Sequence, residues 1–192
     1  LADNLPPLTP SRLGWVHVCA SLLGLEYENR SMPGASNQFI FHTLRQVKPT
    51  SDDIVVIQFT NAHRDFVINE HNVIEHMGPW RCDERWISYA SMTSIMDLER
   101  KNMLAIEHMV LWLAHRKVPF ICFANNSMPL ADHLFVDNET STWALNGFDK
   151  ALDGGHPGLA TNLAWAHKTA DYIQAWMIKG CPCPEKLVID IE

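Results

Sequence analysis

A mainly apolar run, Ile54 to Phe59, in which only Gln58 is polar, limits the folds open to this chain more than any other feature. A strand with one face in solvent alternates apolar and polar residues, whereas a continuous β-branched run is typical of a strand covered on both faces. Val118 to Phe123 is a second apolar segment, predicted to be the next buried strand. The sequence therefore predicts two buried strands, with the Ile54 strand central in its sheet.

Segments with apolar residues at helical spacing lie around these strands. Gly24 is placed to end the first of them, and Ser36 or Asn37 to cap the start of the second. Strands that alternate with helices form parallel sheets covered on both faces, so we predict an α/β fold, a three-layer sandwich with a parallel sheet. Helices are predicted over residues 15–23, 35–47, 93–116 and 159–178, and a short further strand over 27–32.

Length and composition predict one domain over residues 1–192, because 192 residues with 47% apolar side chains supply one full core. Residues 179–192 are predicted to be its C-terminal tail. Residues 62–91 and 125–152 are predicted to be long loop-rich excursions. The aromatic side chains in the first excursion are expected to stack it onto the core, with the lining of a substrate pocket as the alternative; they are Trp80, Trp86 and Tyr89.

The charge pattern argues against two classes of partner. With 22 acidic and 15 basic residues the formal charge is −7. The sequence has no basic stripe with interleaved aromatic residues, so nucleic-acid binding is not predicted. No apolar run reaches the length of a membrane span, so no membrane partner is predicted. The oligomeric state stays open.

The five cysteines are odd in number and scattered, which favours a reducing compartment and a cytoplasmic location. Cys122 is expected to be plain core. No metal is predicted, because Cys181 and Cys183 lie far in sequence from His71, His76 and Cys82, without the spacing of a zinc site.

An acid three residues before a histidine marks the start of the last predicted helix, in Asp153-Gly-Gly-His156-Pro157-Gly158. A carboxylate in that position accepts a hydrogen bond from one ring nitrogen, which leaves the other nitrogen to take a proton from a nucleophile. This pair indicates acyl transfer. The competing interpretation is a turn in which Asp153 caps the helix.

Two segments together resemble the SGNH (GDSL-type) hydrolase family, over roughly residues 12–178. Asn29 to Gly34 is similar to the family's second block, and Asp153 to Pro157 to its last block, Asp-x-x-His-Pro. The third block, Gly-x-Asn-Asp, corresponds loosely to Thr60-Asn-Ala-His-Arg64, with Asn61 one position out of register. The resemblance implies a flavodoxin-like SGNH hydrolase fold.

The resemblance also implies roles for individual residues. His156 would be the general base, Asp153 its orienting carboxylate, and the Gly34 N–H a donor to the oxyanion. Asn61 would be a second donor. Arg64 or His63 could take over that position, which makes both candidate substrate-binding residues. Gly34 also has a simpler interpretation, a tight turn before a helix, and Asn61 is a common turn residue.

The family's first block, Gly-Asp-Ser, has no counterpart in this sequence. We therefore expect its strand and serine nucleophile to lie upstream of Leu1, so that the chain lacks its first, central strand. Leu187 to Ile191 is strand-like and is expected at a sheet edge or unattached to the sheet, with that vacant position as the alternative.

The predicted function is hydrolysis of ester bonds in a small-molecule or carbohydrate substrate by a Ser-His-Asp mechanism, without metal or organic cofactor. The alternative is a catalytically inactive SGNH-like protein that binds carbohydrate or has a structural role.

Overall fold

The structure is a computed structural model that describes residues 14–32, 34–79, 81–123 and 159–178. The chain falls into two compact units, Leu1–Arg30 with Leu145–Cys181, and Ser31–Ala144 with Pro182–Glu192. We call them the helical unit and the sheet unit. The prediction of a single domain stays a prediction. Two predicted segments lie outside the described residues, the loop 125–152 and the tail 179–192, which includes Leu187 to Ile191.

The described residues form five helices and four strands. In chain order they are α1 Trp15–Leu23, α2 Asn37–Val47, β1 Val55–Gln58, β2 Asp65–Ile68, β3 Ile74–Met77, α3 Glu84–Met92, α4 Ile95–His115, β4 Phe120–Phe123 and α5 Leu159–Ile178. The four predicted helices are confirmed as α1, α2, α4 and α5, and the two predicted strands as β1 and β4. Phe120, Ile121 and Cys122 of β4 are buried as predicted, whereas in β1 only Ile57 is buried and Gln58 is exposed. None of the five helices is both long and apolar enough to cross a membrane.

The helical unit contains α1 and α5, which pack along each other. Gly24 ends α1 in the left-handed conformation, with φ 66°, as its position predicted. The Trp15 N–H at the start of α1 donates to Asn162 Oδ1 in the first turn of α5, at 3.4 Å. The two helices therefore begin at the same end of this unit. The buried side chains of α5 are Thr161, Ala166, Thr169, Ala170 and Ile173.

The sheet unit is built on the parallel pair of β1 and β4, in which Val55 lies opposite Phe120 and Gln58 opposite Phe123. Helices α2 and α4 supply the rest of its core. Cys122 is buried, which confirms the prediction that it is a core residue. The core residues are Leu44, Ile57, Phe59, Ile106, Met109, Val110, Leu113, Val118, Phe120 and Cys122.

Residues 62–91 are not the irregular excursion that their composition predicted. They contain an antiparallel hairpin of β2 and β3, in which Asp65 lies opposite Met77, followed by α3. Asn69 builds the hairpin turn, because its Oδ1 accepts the N–H groups of His71 and Val73 at 2.9 and 3.0 Å. Asp83 caps α3 by accepting the Trp86 N–H at 2.9 Å.

The predicted strand over residues 27–32 is wrong, because these residues form no strand. A strand requires a backbone ladder with a neighbour, and within the described residues the only parallel ladder joins β1 to β4. The described chain is thus a mixed α/β protein with a two-stranded parallel sheet. This confirms the α/β class, and the three-layer sandwich stays a prediction.

Candidate functional site

Gly34 lies in a tight turn just before α2. Its φ is 76°, in the left-handed region that favours glycine, and the Ala35 N–H closes the turn on the Met32 carbonyl at 3.1 Å. A side chain at this position would strain the backbone. The turn that we predicted is therefore present, while the oxyanion role stays a prediction.

Ser36 caps α2, as one of the two predicted capping residues. Its Oγ accepts the Phe39 N–H at 3.2 Å, and both Ser36 and Asn37 are fully buried. The cap uses one of the free N–H groups of the first turn, and the helix dipole places partial positive charge at this end. The start of α2 therefore favours negative charge.

The carboxamide of Asn37 joins the start of α2 to the end of β1. Its Oδ1 accepts the Thr60 N–H at 2.9 Å, and its Nδ2 donates to the Thr60 carbonyl at 3.0 Å. Because Gly34 lies three residues before Asn37 and Asn61 directly follows Thr60, the two predicted oxyanion donors lie in segments that this pair of hydrogen bonds connects.

Asn102 of α4 continues this connection. Its Oδ1 accepts a hydrogen bond from Asn37 Nδ2 at 2.8 Å. Its Nδ2 lies 2.6 Å from the Ala62 carbonyl and 3.3 Å from that of Arg64, and it also contacts the Leu98 carbonyl in its own helix at 2.9 Å. Asn102 was not predicted, because a lone asparagine in an amphipathic helix is typical of the solvent-exposed face.

Asn61 is oriented by its own loop. Its Oδ1 accepts the His63 N–H at 2.8 Å, and its carbonyl accepts the Arg64 N–H at 3.3 Å. An asparagine whose oxygen is held in this way keeps its NH₂ group for another acceptor. The role of Asn61 as an oxyanion donor stays a prediction.

Arg64 and His63, the predicted substrate-binding residues, lie in the same loop. Partial burial lowers the pKa of the Arg64 guanidinium, which remains charged at neutral pH. The loop therefore carries a partly desolvated positive charge beside Asn61.

A second polar cluster, which the sequence did not predict, joins three elements at the far end of this loop. Asp65 of β2 is buried, accepts a hydrogen bond from the Tyr89 hydroxyl of α3, and lies 3.7 Å from Lys101 Nζ of α4. Burial, and then the Asp65 carboxylate, raise the pKa of Tyr89, so the phenol stays protonated. Trp86 stacks on Tyr89 with ring centroids 5.9 Å apart. Both residues belong to α3, none of whose residues is buried, so the expected stacking of this segment onto the core stays a prediction; Trp80 is outside the described residues.

Asp153 and His156 lie outside the described residues, so their predicted roles stay predictions. The helix that they precede, α5, is described, and its first turn contacts the first turn of α1 through Asn162. Within the described part of the chain no group of three or more His, Cys, Asp or Glu side chains is placed to hold a metal ion.

Comparison of the chain with models of protein families, with curated proteins and with solved structures finds no match.

Proposed function

We propose that this protein is an SGNH-type hydrolase with a flavodoxin-like fold, which cleaves ester bonds in a small-molecule or carbohydrate substrate. The observation that carries the proposal is the double hydrogen bond between Asn37 and Thr60. It joins the Gly34 turn to the segment that contains Asn61, which are the two places from which the oxyanion donors of the proposed mechanism come.

The proposed oxyanion donors are the Gly34 N–H and the Asn61 NH₂ group. Attack on an ester carbonyl moves negative charge onto its oxygen, and preorganised donors stabilise that charge without reorganising. The start of α2 adds its dipole to the same end. Each such donor is worth about 2.7–4 kcal/mol of transition-state stabilisation. Arg64 and His63 are proposed to contact the substrate beside these donors.

The proposed base is His156, held in one tautomer by Asp153. Both residues precede α5, and the contact between Trp15 and Asn162 supports a shared location for the starts of α1 and α5 in the helical unit. In the SGNH family the segment that follows the serine nucleophile leads into the first helix, which corresponds to α1 in this proposal. The proposal therefore assigns the serine to a segment preceding Leu1, since no residue of this sequence matches the Gly-Asp-Ser block.

The proposed reaction has two steps. The serine Oγ attacks the ester carbon while His156 removes its proton, and His156 then protonates the departing alkoxide, which leaves an acyl-enzyme. In the second step His156 deprotonates water, the hydroxide attacks the acyl group, and the proton returns to the serine. The products are the alcohol and the acid.

Hydrolysis of 4-nitrophenyl acetate tests the proposal. The protein expressed with its preceding segment should hydrolyse this ester, and His156→Ala should lower kcat by about 10²–10⁴-fold, because general-base catalysis is lost. His115→Ala, which removes an exposed histidine at the end of α4, is the matched control and should leave kcat unchanged. Equal turnover in the His156→Ala variant and the wild type would refute the proposed base.

Residues 1–192 alone should release no stoichiometric burst of 4-nitrophenol, because the proposed nucleophile is outside them. A burst would show that a serine within these residues is reactive. A preceding segment without a Gly-x-Ser would favour the alternative, a protein of this fold that binds carbohydrate without cleaving it.

A further inference from the structure

Two buried carboxamides hold the loop between β1 and β2, residues 59–64. Asn37 is 0% exposed and Asn102 is 1% exposed, although each comes from a helix outside that loop. A buried side-chain amide is costly unless it is hydrogen-bonded, so the contacts of these two residues determine their contribution to the fold.

The hydrogen bonds of the pair use all of its polar groups. Both carboxamide oxygens accept a hydrogen bond, Asn37 Oδ1 from the Thr60 N–H and Asn102 Oδ1 from Asn37 Nδ2. The two NH₂ groups donate to the Thr60 and Ala62 carbonyls, among others, at 3.0 and 2.6 Å. The pair is therefore a complete network, in which the loss of one member leaves the others unsatisfied.

The network contacts the loop through its backbone at alternate residues, Thr60, Ala62 and Arg64. The side chains of Asn61 and His63, which lie between them, are not among its members. A backbone that is hydrogen-bonded at these three residues fixes the Cα positions of Asn61 and His63 between them. The contacts thus position candidate site residues without using the groups that would meet a substrate.

We propose that Asn102 is a positioning residue, which holds the β1–β2 loop from α4 so that Asn61 presents its NH₂ group to the oxyanion; the catalytic part of this inference rests on the proposed function. Asn37, which is hydrogen-bonded to both Asn102 and Thr60, connects this contact to the start of α2. Asn102 donates to two loop carbonyls and accepts from Asn37, a combination that a carboxamide provides and that carboxylate and aliphatic side chains do not.

The test compares three variants of the protein expressed with its preceding segment. Asn102→Ala removes the whole contact. Asn102→Ser is milder, because a serine hydroxyl can still bond the Leu98 carbonyl one turn back but is too short for the loop. Val110→Ala is the matched control, which truncates a fully buried core side chain of the same helix and removes none of the hydrogen bonds of the network.

The first measurement is amide hydrogen exchange at Thr60, His63 and Arg64, whose N–H groups are bonded to Asn37 and Asn61. In both Asn102 variants exchange at these amides should be at least about tenfold faster than in Val110→Ala, since the loop opens locally. Equal exchange in the Asn102 variants and the control would overturn the positioning role. This measurement does not depend on catalysis.

The second measurement is the kinetics of 4-nitrophenyl acetate hydrolysis. Misplacing an oxyanion donor should lower kcat by about 10-fold or more with little change in KM, because the donor acts in the transition state. Val110→Ala should lower the melting temperature and keep kcat. Unchanged kcat in Asn102→Ser, with a loosened loop, would contradict the catalytic part of the inference. An inactive wild type would refute the proposed function instead, and exchange would still decide whether Asn102 holds the loop.

Discussion

His76 shows how burial sets the chemistry of a single residue. Its ring meets Phe39 edge to face with centroids 4.6 Å apart, and its Nε2 lies 3.0 Å from Met32 Sδ. Its Nδ1 is buried and has no hydrogen-bond partner among the described residues. Because these surroundings do not stabilise a charged imidazole, burial lowers the pKa of His76.

This lowered pKa predicts a pH dependence of stability. The unfolded chain protonates His76 near its ordinary pKa of about 6.5 and the folded protein only at lower pH, so the unfolded state binds more protons as the pH falls through this range. The contribution of neutral His76 is therefore present above about pH 6.5 and lost below it. Melting temperatures of the wild type and His76→Phe, measured from pH 8 to pH 5, should show the wild type losing more stability on acidification. Parallel curves would contradict the assignment.

At the scale of elements, the predictions from sequence succeeded where one pattern extends over many residues. Helix α2 was predicted from its apolar spacing and from a cap at Ser36 or Asn37, and β1 and β4 from mainly apolar runs. Strands β2 and β3 were missed because both mix charged or polar residues with apolar ones and because the polar segment between them hid their pairing. The available signal was Phe66-Val-Ile68 and Val73-Ile74 on either side of Asn69 to Asn72, a turn-rich segment between two apolar stretches.

Helix α3 is held by few contacts, because none of its residues is buried. Its polar contacts with the strands are the hydrogen bond from Tyr89 to the buried carboxylate of Asp65 and the ion pair of Arg85 with Glu75. We predict that Tyr89→Phe lowers the free energy of local opening of α3 by about 1.5–3 kcal/mol, as expected for a lost hydrogen bond to a charged group. The measurement is amide hydrogen exchange along residues 84–92.

The matched control for this prediction is Ser88→Ala, which changes an exposed residue of the same helix. In the Tyr89→Phe variant exchange should increase across α3 and stay unchanged in α2. If both variants exchanged alike, the Asp65 contact would not be what anchors the helix.

At the scale of the whole molecule, the candidate site has parts that sequence predicts and parts that it does not. Gly34 and Asn61 were predicted from a local motif and from the end of a strand; Gly34 lies in the predicted turn and Asn61 Oδ1 accepts the His63 N–H, while their oxyanion roles stay predictions. Asn102 could not be predicted, because its partners Ala62 and Arg64 lie 40 and 38 positions away and are brought to it only by packing. Asp153 and His156 are outside the described residues, so their proposed roles rest on the chemistry of an acid three residues before a histidine.

Covalent labelling with a fluorophosphonate tests the proposed activation of a serine nucleophile by His156. The protein expressed with its preceding segment should take up one phosphonate per chain, on a serine before Leu1, as found by mass spectrometry of its peptides. His156→Ala should slow this labelling by about 10²-fold or more, because the serine loses its base, and His115→Ala should not. Labelling at the wild-type rate in the His156→Ala variant would contradict the account.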